Sequence, residues 1–342
     1  MTQRGFASDN SAGVHPAVLD AIAQANDGHA FGYGHDHWTE RVEELFRDRF
    51  GREVRTFLVW GGTAANVLSL RAVCRPWEAV ICADCAHLNV DEAGAPEAIA
   101  GVKLLDLVTE HGKLTPRQVE GAVVRIGDEH AVQPRVVSVS QATELGTVYS
   151  RDEVAALAKV AHAKGLVVHM DGARLSNSAA ALECSLGDLT AEAGVDVLSF
   201  GGTKSGLLGA EAVVFLKPEL ADGFVYLRKQ SLQLASKMRF LAAQFEALLK
   251  DDLWRALASN GNAMARRLAE AVEGLPSVTI THPVESNAVF ATLPRDAIDR
   301  LREQFPFYVW DEARDEIRWM CAWDTTEEDI ERFVTAVRAA VR

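Results

Sequence analysis

LVVHMDGAR (166–174) runs from an unbroken apolar segment straight into a carboxylate, a glycine and a guanidinium, and VDVLSFGGTKSG (195–206) repeats the form with a lysine among small residues. Each reads as a buried strand whose chemistry-bearing residues begin where the apolar run stops. Outward from these two, VRTFLVW (54–60), AVIC (79–82), VKLLDL (102–107), RVVSVS (135–140) and EAVVFL (211–216) are also strand-like. Helical patterns fall between them at TAANVLSLRAV (63–73) and SRDEVAALAKVAHAKG (150–165). Ser150 ahead of Asp152 and Glu153 is a helix start, Gly165 a helix stop, and Thr115 before Pro116 a second start. Strands alternating with helices predict an α/β fold, a mostly parallel sheet between helical layers.

The pattern changes after residue 217. Apolar spacings of three and four predict a long helical region over 218–274, followed by strands at PSVTITH (276–282), NAVFATL (287–293), FYVW (307–310) and EIRWMCAW (316–323) and helices at 294–304 and 326–342. This α+β layer predicts a small C-terminal domain, with the chain divided into 1–245 and 246–342.

Composition narrows the function classes. The 342 residues are 48% hydrophobic and 24% charged, a globular balance. Thirty-five Lys and Arg against 48 Asp and Glu leave a net charge of −13, the wrong sign for a nucleic-acid binder. No apolar run is long enough to span a membrane, and MTQRGFASDN lacks the apolar core of a secretion signal. The five scattered cysteines form no disulfide framework, so a reduced, cytoplasmic protein is expected. Cys82 and Cys85 make a lone C-x-x-C without the second pair that zinc would need, and no metal is expected.

Four segments carry chemistry. In FGGTKSG (200–206), Lys204 sits in a small-residue loop where a ligand can approach, and a lysine held there loses its proton readily and can form an imine; an exposed loop lysine is the alternative. Asp171 ends its strand with Arg174 three residues on, at the strand edge where open α/β sheets bind ligands. A carboxylate there can keep a cofactor's pyridine nitrogen protonated, or it can cap the next helix. In LVWGGTAAN (58–66), Gly62 and Thr63 open a helix and can face a phosphate, with a plain N-cap by Thr63 as the competing reading. His87 in CAHLNVDEAGAPE (85–97) could stack on a planar cofactor or move a proton, though lone histidines are commonly structural.

Together with FASDNSAGVHPAVLDAIAQAN (6–26), GYGHDHWTERVEELFRDRFG (32–51), SQATELGTVYS (140–150), HMDGARLSNSAAAL (169–182), LSFGGTKSG (198–206), RKQSLQLASKMRFLAAQ (228–244) and EIRWMCAWDTTEEDI (316–330), these segments resemble the threonine aldolase family of fold-type-I pyridoxal-phosphate enzymes, in its β-eliminating lyase group. The resemblance runs over nearly the whole chain. It implies pyridoxal 5'-phosphate as cofactor and cleavage of L-threonine, L-allo-threonine or a related β-hydroxy-α-amino acid to glycine and an aldehyde. Lys204 would hold the cofactor as an imine, Asp171 its ring nitrogen, His87 its ring face, and Gly62 and Thr63 its phosphate. Arg174 would lie near the phenolic oxygen and the substrate carboxylate, which Ser8 and Arg318 would also clamp. Tyr33, Arg228 and Lys229 would reach the site of a neighbouring subunit in a homodimer or homotetramer. His130, in the loosely similar GDEHAVQPR (127–135), would be the family's second active-site histidine, and the proton acceptor would be His87, His130 or a water held by one of them.

WGGT stands where S-G-T is usual, and YGHDHWT (33–39) carries His37 within the common Y-G-x-D-x-x-T run. Other readings are a pyridoxal-phosphate lyase of another kind (β-elimination, or cleavage of a bulkier substrate such as phenylserine), a non-catalytic phosphate-binding module built on GGTAAN, and a degenerate scaffold.

Overall fold

A computed structural model describes residues 4–51 and 53–342; the first three residues of the segment read above for a secretion signal lie outside them. The strands are β1 (Arg55–Val59), β2 (Glu78–Ala83), β3 (Lys103–Leu107), β4 (Gln133–Ser140), β5 (Val167–Gly172), β6 (Val197–Gly201), β7 (Glu211–Phe215), β8 (Thr279–Ile280), β9 (Ala288–Thr292), β10 (Tyr308–Asp311) and β11 (Glu316–Met320). The first seven form one sheet in the order β1-β7-β6-β5-β4-β2-β3, in which only β7 runs antiparallel to its neighbours. β5 and β6 are buried along their whole length, as strands covered by helices on both faces must be.

The helices end where local chemistry stops them. Ser150 and Glu153 close a capping box at the start of Arg151–Ala163, and Thr115 and Gln118 do the same for Pro116–Ala122. Gly165 takes a φ of 73° and turns the chain into β5.

The expected helical region 218–274 is broken into a short turn and three helices, Phe224–Gln230, Arg239–Leu249 and Leu253–Val272. Leu232 at φ 63° and Asp251 and Asp252 at 53° and 55° interrupt the hydrogen-bond ladder, which apolar spacing does not register. Of the strand expected over 276–282, only Thr279–Ile280 pairs with β9. The C-terminal strands form an antiparallel sheet, β10-β11-β9-β8, in the region the sequence reads as an α+β layer.

One apolar core on a face of the seven-stranded sheet includes Phe57, Leu68 and Phe215, and two further large cores meet at one helix. Of these two, one lies under the seven-stranded sheet and includes Phe46, Phe200 and Phe245; the other lies between the small sheet and its helices and includes Ile298, Trp319 and Phe333. Helix Leu253–Val272 belongs to both, with Trp254 and Leu257 in the first and Met264 to Val272 in the second. The N-terminal segment also bridges them. Phe6 is buried in the second core, with its backbone bonded to Pro306 and Met320, and three residues later Asp9 enters the site.

Candidate active site

The carboxyl ends of β6, β5, β4 and β2, adjacent in that order, deliver the functional side chains. Lys204 follows β6, Asp171 and Arg174 stand at the end of β5, Glu144 follows β4, and His87 follows β2. These five line one pocket with Gly62, Asn66 and Ser140. In-register pairing of Asp171 with Ser199 keeps the lysine loop beside the aspartate.

Lys204 lies in the single turn Thr203–Ser205, reversed by Gly206 at φ 92°. A side chain at Gly201 would collide with the Ala173 backbone at 2.6 Å, so the two strand ends approach as closely as glycine permits. Glu211 on β7 braces the loop from behind, accepting the backbone N–H groups of Gly202 and Thr203 at 3.2 and 3.3 Å. The charge of Arg174, together with burial, moves the lysine pKa below its ordinary value and favours the neutral, nucleophilic amine.

Asp171 is buried, yet its pKa is lowered. Burial opposes this, but the charges of His87 and Lys204 outweigh it, helped by the Asn66 amide at 2.7 Å and the Ala173 N–H at 3.0 Å. The same Asn66 amide donates to Glu92 at 2.9 Å, and Glu92 also holds His87 Nδ1 at 2.9 Å. That bond raises the His87 pKa and outweighs burial. His87, Glu92 and Asp171 thus offer three ligand atoms within 4.8 Å of one another.

Beneath Asp171, the buried His169 is held between Ser138 at 2.9 Å and Ser199 at 3.0 Å, and burial lowers its pKa to about 4. It is therefore neutral at ordinary pH.

Arg174 is clamped by Asp9 through Nε at 2.7 Å and Nη2 at 3.0 Å, and Asn287 adds a bond to Asp9 at 3.2 Å. Burial works to raise the Asp9 pKa, but Arg174 and Lys204 bring it down to about 2. Arg318 bonds the Ala7 carbonyl at 3.3 Å and lies over the rings of Trp310 and Tyr308. Burial, and then the like charge of Arg174, lower its pKa to about 10, and its Nε is buried without a partner among the described residues. Arg318 lines a neighbouring cavity with Tyr308 and Trp310 rather than the pocket of Lys204 and Arg174.

Helix Gly62–Val73 begins without a side-chain cap: Gly61 is the N-cap, and Thr63 is the second helical residue rather than the cap. A Cβ at Gly61 or Gly62 would meet nothing within 4 Å, so the bare N-terminal turn borders open space, as a phosphate requires. With the displaced-pKa lysine, the ionised Asp171 and the orphaned buried oxygens of Asn66, Glu92 and Glu144, the donor set fits pyridoxal phosphate.

Ser8 caps a short turn by accepting the Asn10 N–H at 3.1 Å, beside Asp9. Tyr33 is about half-exposed at φ 63°, with Lys229 Nζ 5.2 Å from its ring centre, and Arg228 bonds the Leu58 carbonyl; none of the three lines the pocket of this chain.

His130 is not brought to the site. It precedes β4 and is 81% exposed in its side chain, whereas the pocket lies past the opposite end of that eight-residue strand, about 25 Å away. Cys82 and Cys85 are free thiols, and burial pushes each to about 12, leaving no reactive pair.

Sequence reasoning missed Asp9, Asn66, Glu92 and Glu144. Asn66 follows Gly62 by one helical turn and so faces the same pocket, a spacing that could have revealed it. Glu92 lies five residues past His87, in a quoted segment, but nothing in the sequence marks it as buried.

Among known proteins, the beta-eliminating lyase family profile matches residues 5–295. The chain is 46% identical to the low specificity L-threonine aldolase of Pseudomonas aeruginosa over 97% of this chain and 96% of that one. It is 42% identical to the enzyme of the same name from a Pseudomonas species, over 98% and 97%. The structure of Leishmania major threonine aldolase superposes with a TM-score of 0.94 at 31% identity, covering 99% of this chain and all of that one. An aspartate aminotransferase from Thermus thermophilus, at 16% identity and a TM-score of 0.74 over 99% and 92%, shares the fold.

Proposed function

The chain belongs to the beta-eliminating lyase family, and from that premise we propose that it is a pyridoxal-phosphate-dependent aldehyde-lyase that cleaves L-threonine, L-allo-threonine or a related β-hydroxy-α-amino acid to glycine and an aldehyde. The observation that carries the reading is the half-buried Lys204, its pKa lowered by Arg174 and by burial, in one pocket with the ionised Asp171.

Pyridoxal phosphate, when bound, supplies an aldehyde that condenses with amines and a ring that accepts an electron pair. Lys204 would hold it through the amine that Arg174 keeps easily deprotonated. Asp171, kept ionised, would retain a proton on the ring nitrogen. Gly62 and Thr63 would receive the phosphate at the uncapped helix start, and His87, fixed by Glu92, would lie against the ring. The Nη1 donors of Arg174 that Asp9 does not engage, with Arg318 and Ser8, would bind the substrate carboxylate and so orient its Cα–Cβ bond.

Exposed apolar side chains support a homodimer or homotetramer: Phe31 and Leu232 are largely exposed and Tyr33 and Trp60 about half-exposed, and the backbone N–H groups of Tyr33 and Trp60 both bond to the segment just after Leu232. In such an assembly Tyr33, Arg228 and Lys229 would serve a neighbouring subunit's site. None of the described helices is long and apolar enough to cross a membrane, and five free cysteines support a cytoplasmic location. The division into 1–245 and 246–342 is also our reading, with helix Leu253–Val272 tying the two units together.

The test is Lys204→Ala. The wild-type protein should be yellow with cofactor and release aldehyde from L-threonine, L-allo-threonine or L-phenylserine, and the variant should lose both the internal imine absorbance and aldehyde release. A normal band in the variant would refute the lysine's role; a wild-type protein that releases no aldehyde from any of these substrates would refute the aldolase.

A further inference from the structure

The pocket holds a second carboxylate for which the reading above has no task. Glu144 lines it beside His87, Ser140, Arg174 and Lys204. Its two oxygens are treated differently. Oε1 accepts the His87 backbone N–H at 2.7 Å and the Ser140 hydroxyl at 2.6 Å. Oε2 is buried and has no partner among the described residues. A buried acceptor left unpaired is costly, so a ligand that brings a donor to Oε2 recovers that cost on binding.

The bonds to Oε1 also decide where a proton can go: both donors occupy that oxygen, which leaves Oε2 to be protonated. Burial, reinforced by the like charge of Asp171 and only partly offset by Ser140, pushes the carboxyl above the usual range. A carboxylate of raised basicity is the better acceptor for a hydroxyl proton. His87 is the weaker candidate, since Glu92 holds its Nδ1 and favours the protonated ring.

We propose that Glu144 Oε2 takes the β-hydroxyl proton of the substrate during carbon–carbon cleavage. The inference rests on the aldolase reading. The substrate O–H bond breaks as Oε2–H forms, and the O–H electron pair becomes the second bond of the aldehyde carbonyl. A bound pyridoxal phosphate would supply the acceptor for the Cα–Cβ electron pair, which a proton at Cα would then convert to the C–H bond of glycine. Glu144 then releases its proton to solvent, solvent supplies the proton that Cα receives, and the sum is one amino acid converted to glycine and one aldehyde.

Glu144→Gln tests this in the holoenzyme, because the amide can keep the Oε1 contacts while removing the base. The imine absorbance and the spectral titration with glycine should match wild type, as should exchange of the glycine α-proton with D2O, which needs no β-hydroxyl. The kcat for L-threonine should fall about 10²- to 10⁴-fold with little change in KM, and the acid limb of the wild-type kcat profile should vanish from the residual rate. Threonine cleavage at the wild-type rate, or glycine exchange lost in step with cleavage, would overturn the proposal. If the glutamine variant does not bind cofactor, Glu144→Asp serves instead: cleavage impaired with exchange intact supports the role, and a parallel loss overturns it. Wild-type enzyme inactive on every β-hydroxy amino acid would instead strike the aldolase reading itself.

Discussion

Asp171 at the end of β5 and Glu144 just beyond the end of the neighbouring β4 both present carboxylates to one pocket, yet they titrate in opposite directions. Depth does not separate them, because burial pushes both upward. Company does. Asp171 has the charges of His87 and Lys204 and the Asn66 amide, which together overcome burial and keep it ionised. Glu144 has a hydroxyl and a backbone N–H but faces the negative charge of Asp171, so burial prevails. A pair pushed apart in this way is suited to two tasks, a fixed negative charge and a proton acceptor.

Removing the fixed charge should have the broadest effect. Asp171→Asn keeps the shape but cannot hold a proton on a ring nitrogen, and kcat should fall by about 10³-fold, the upper range for losing one pre-organised electrostatic partner. Unlike Glu144→Gln, it should suppress glycine α-proton exchange as strongly as threonine cleavage, since both reactions need the same electron sink. Equal exchange in wild type and Asp171→Asn would erase the distinction between the two carboxylates.

A smaller effect is expected one residue further out. Asn66→Ala removes the donor that Asp171 and Glu92 share. Asp171 should become easier to protonate and His87 less firmly placed, lowering kcat/KM about tenfold or more, in line with a charged hydrogen bond of about 1.5–3 kcal/mol. The acid limb of its kcat/KM profile should move to higher pH; a profile identical to wild type would mean that His87 and Lys204 alone keep Asp171 ionised.

Lys204, Asp171 and Arg174 were legible in the sequence because each breaks an apolar strand at its end, where side chains of a parallel sheet converge. The partners that set their charge were not. Asp9 meets Arg174 across 165 positions, and only the burial of Phe6 in the far core explains how the N-terminal segment reaches it. Asn66 sits in an apolar helical pattern that conceals its polar face. Glu144 lies in the irregular run QATELG (141–146), where no periodicity indicates which side chains turn inward. His130 attracted attention through a loosely similar segment, but it precedes its strand and so falls at the wrong end of the sheet.

The titration difference also predicts stability in the cofactor-free protein. Asp171, lowered in the folded state, stabilises it above the unfolded carboxyl pKa of about 4, and that contribution is lost as pH falls through the folded value. Glu144, raised in the folded state, contributes its full share below about 4, and that share is lost as pH rises through its folded value. The melting temperature of Glu144→Gln relative to wild type should therefore climb as pH rises from about 4 toward neutrality; a constant difference would show that Glu144 is not raised.

The smallest effect belongs to His130→Ala. Its side chain is exposed, and the full length of β4 separates it from Glu144. The comparison of Asp171 with Glu144 assigns both the fixed charge and the proton acceptor without it, so kcat, KM and the pH profile should all equal those of wild type. A drop in kcat with unchanged melting temperature would mean that His130 reaches a pocket after all. Since β4 keeps it from its own, that pocket would belong to another copy of the chain, and the proton acceptor would then have to be sought between subunits rather than at Glu144.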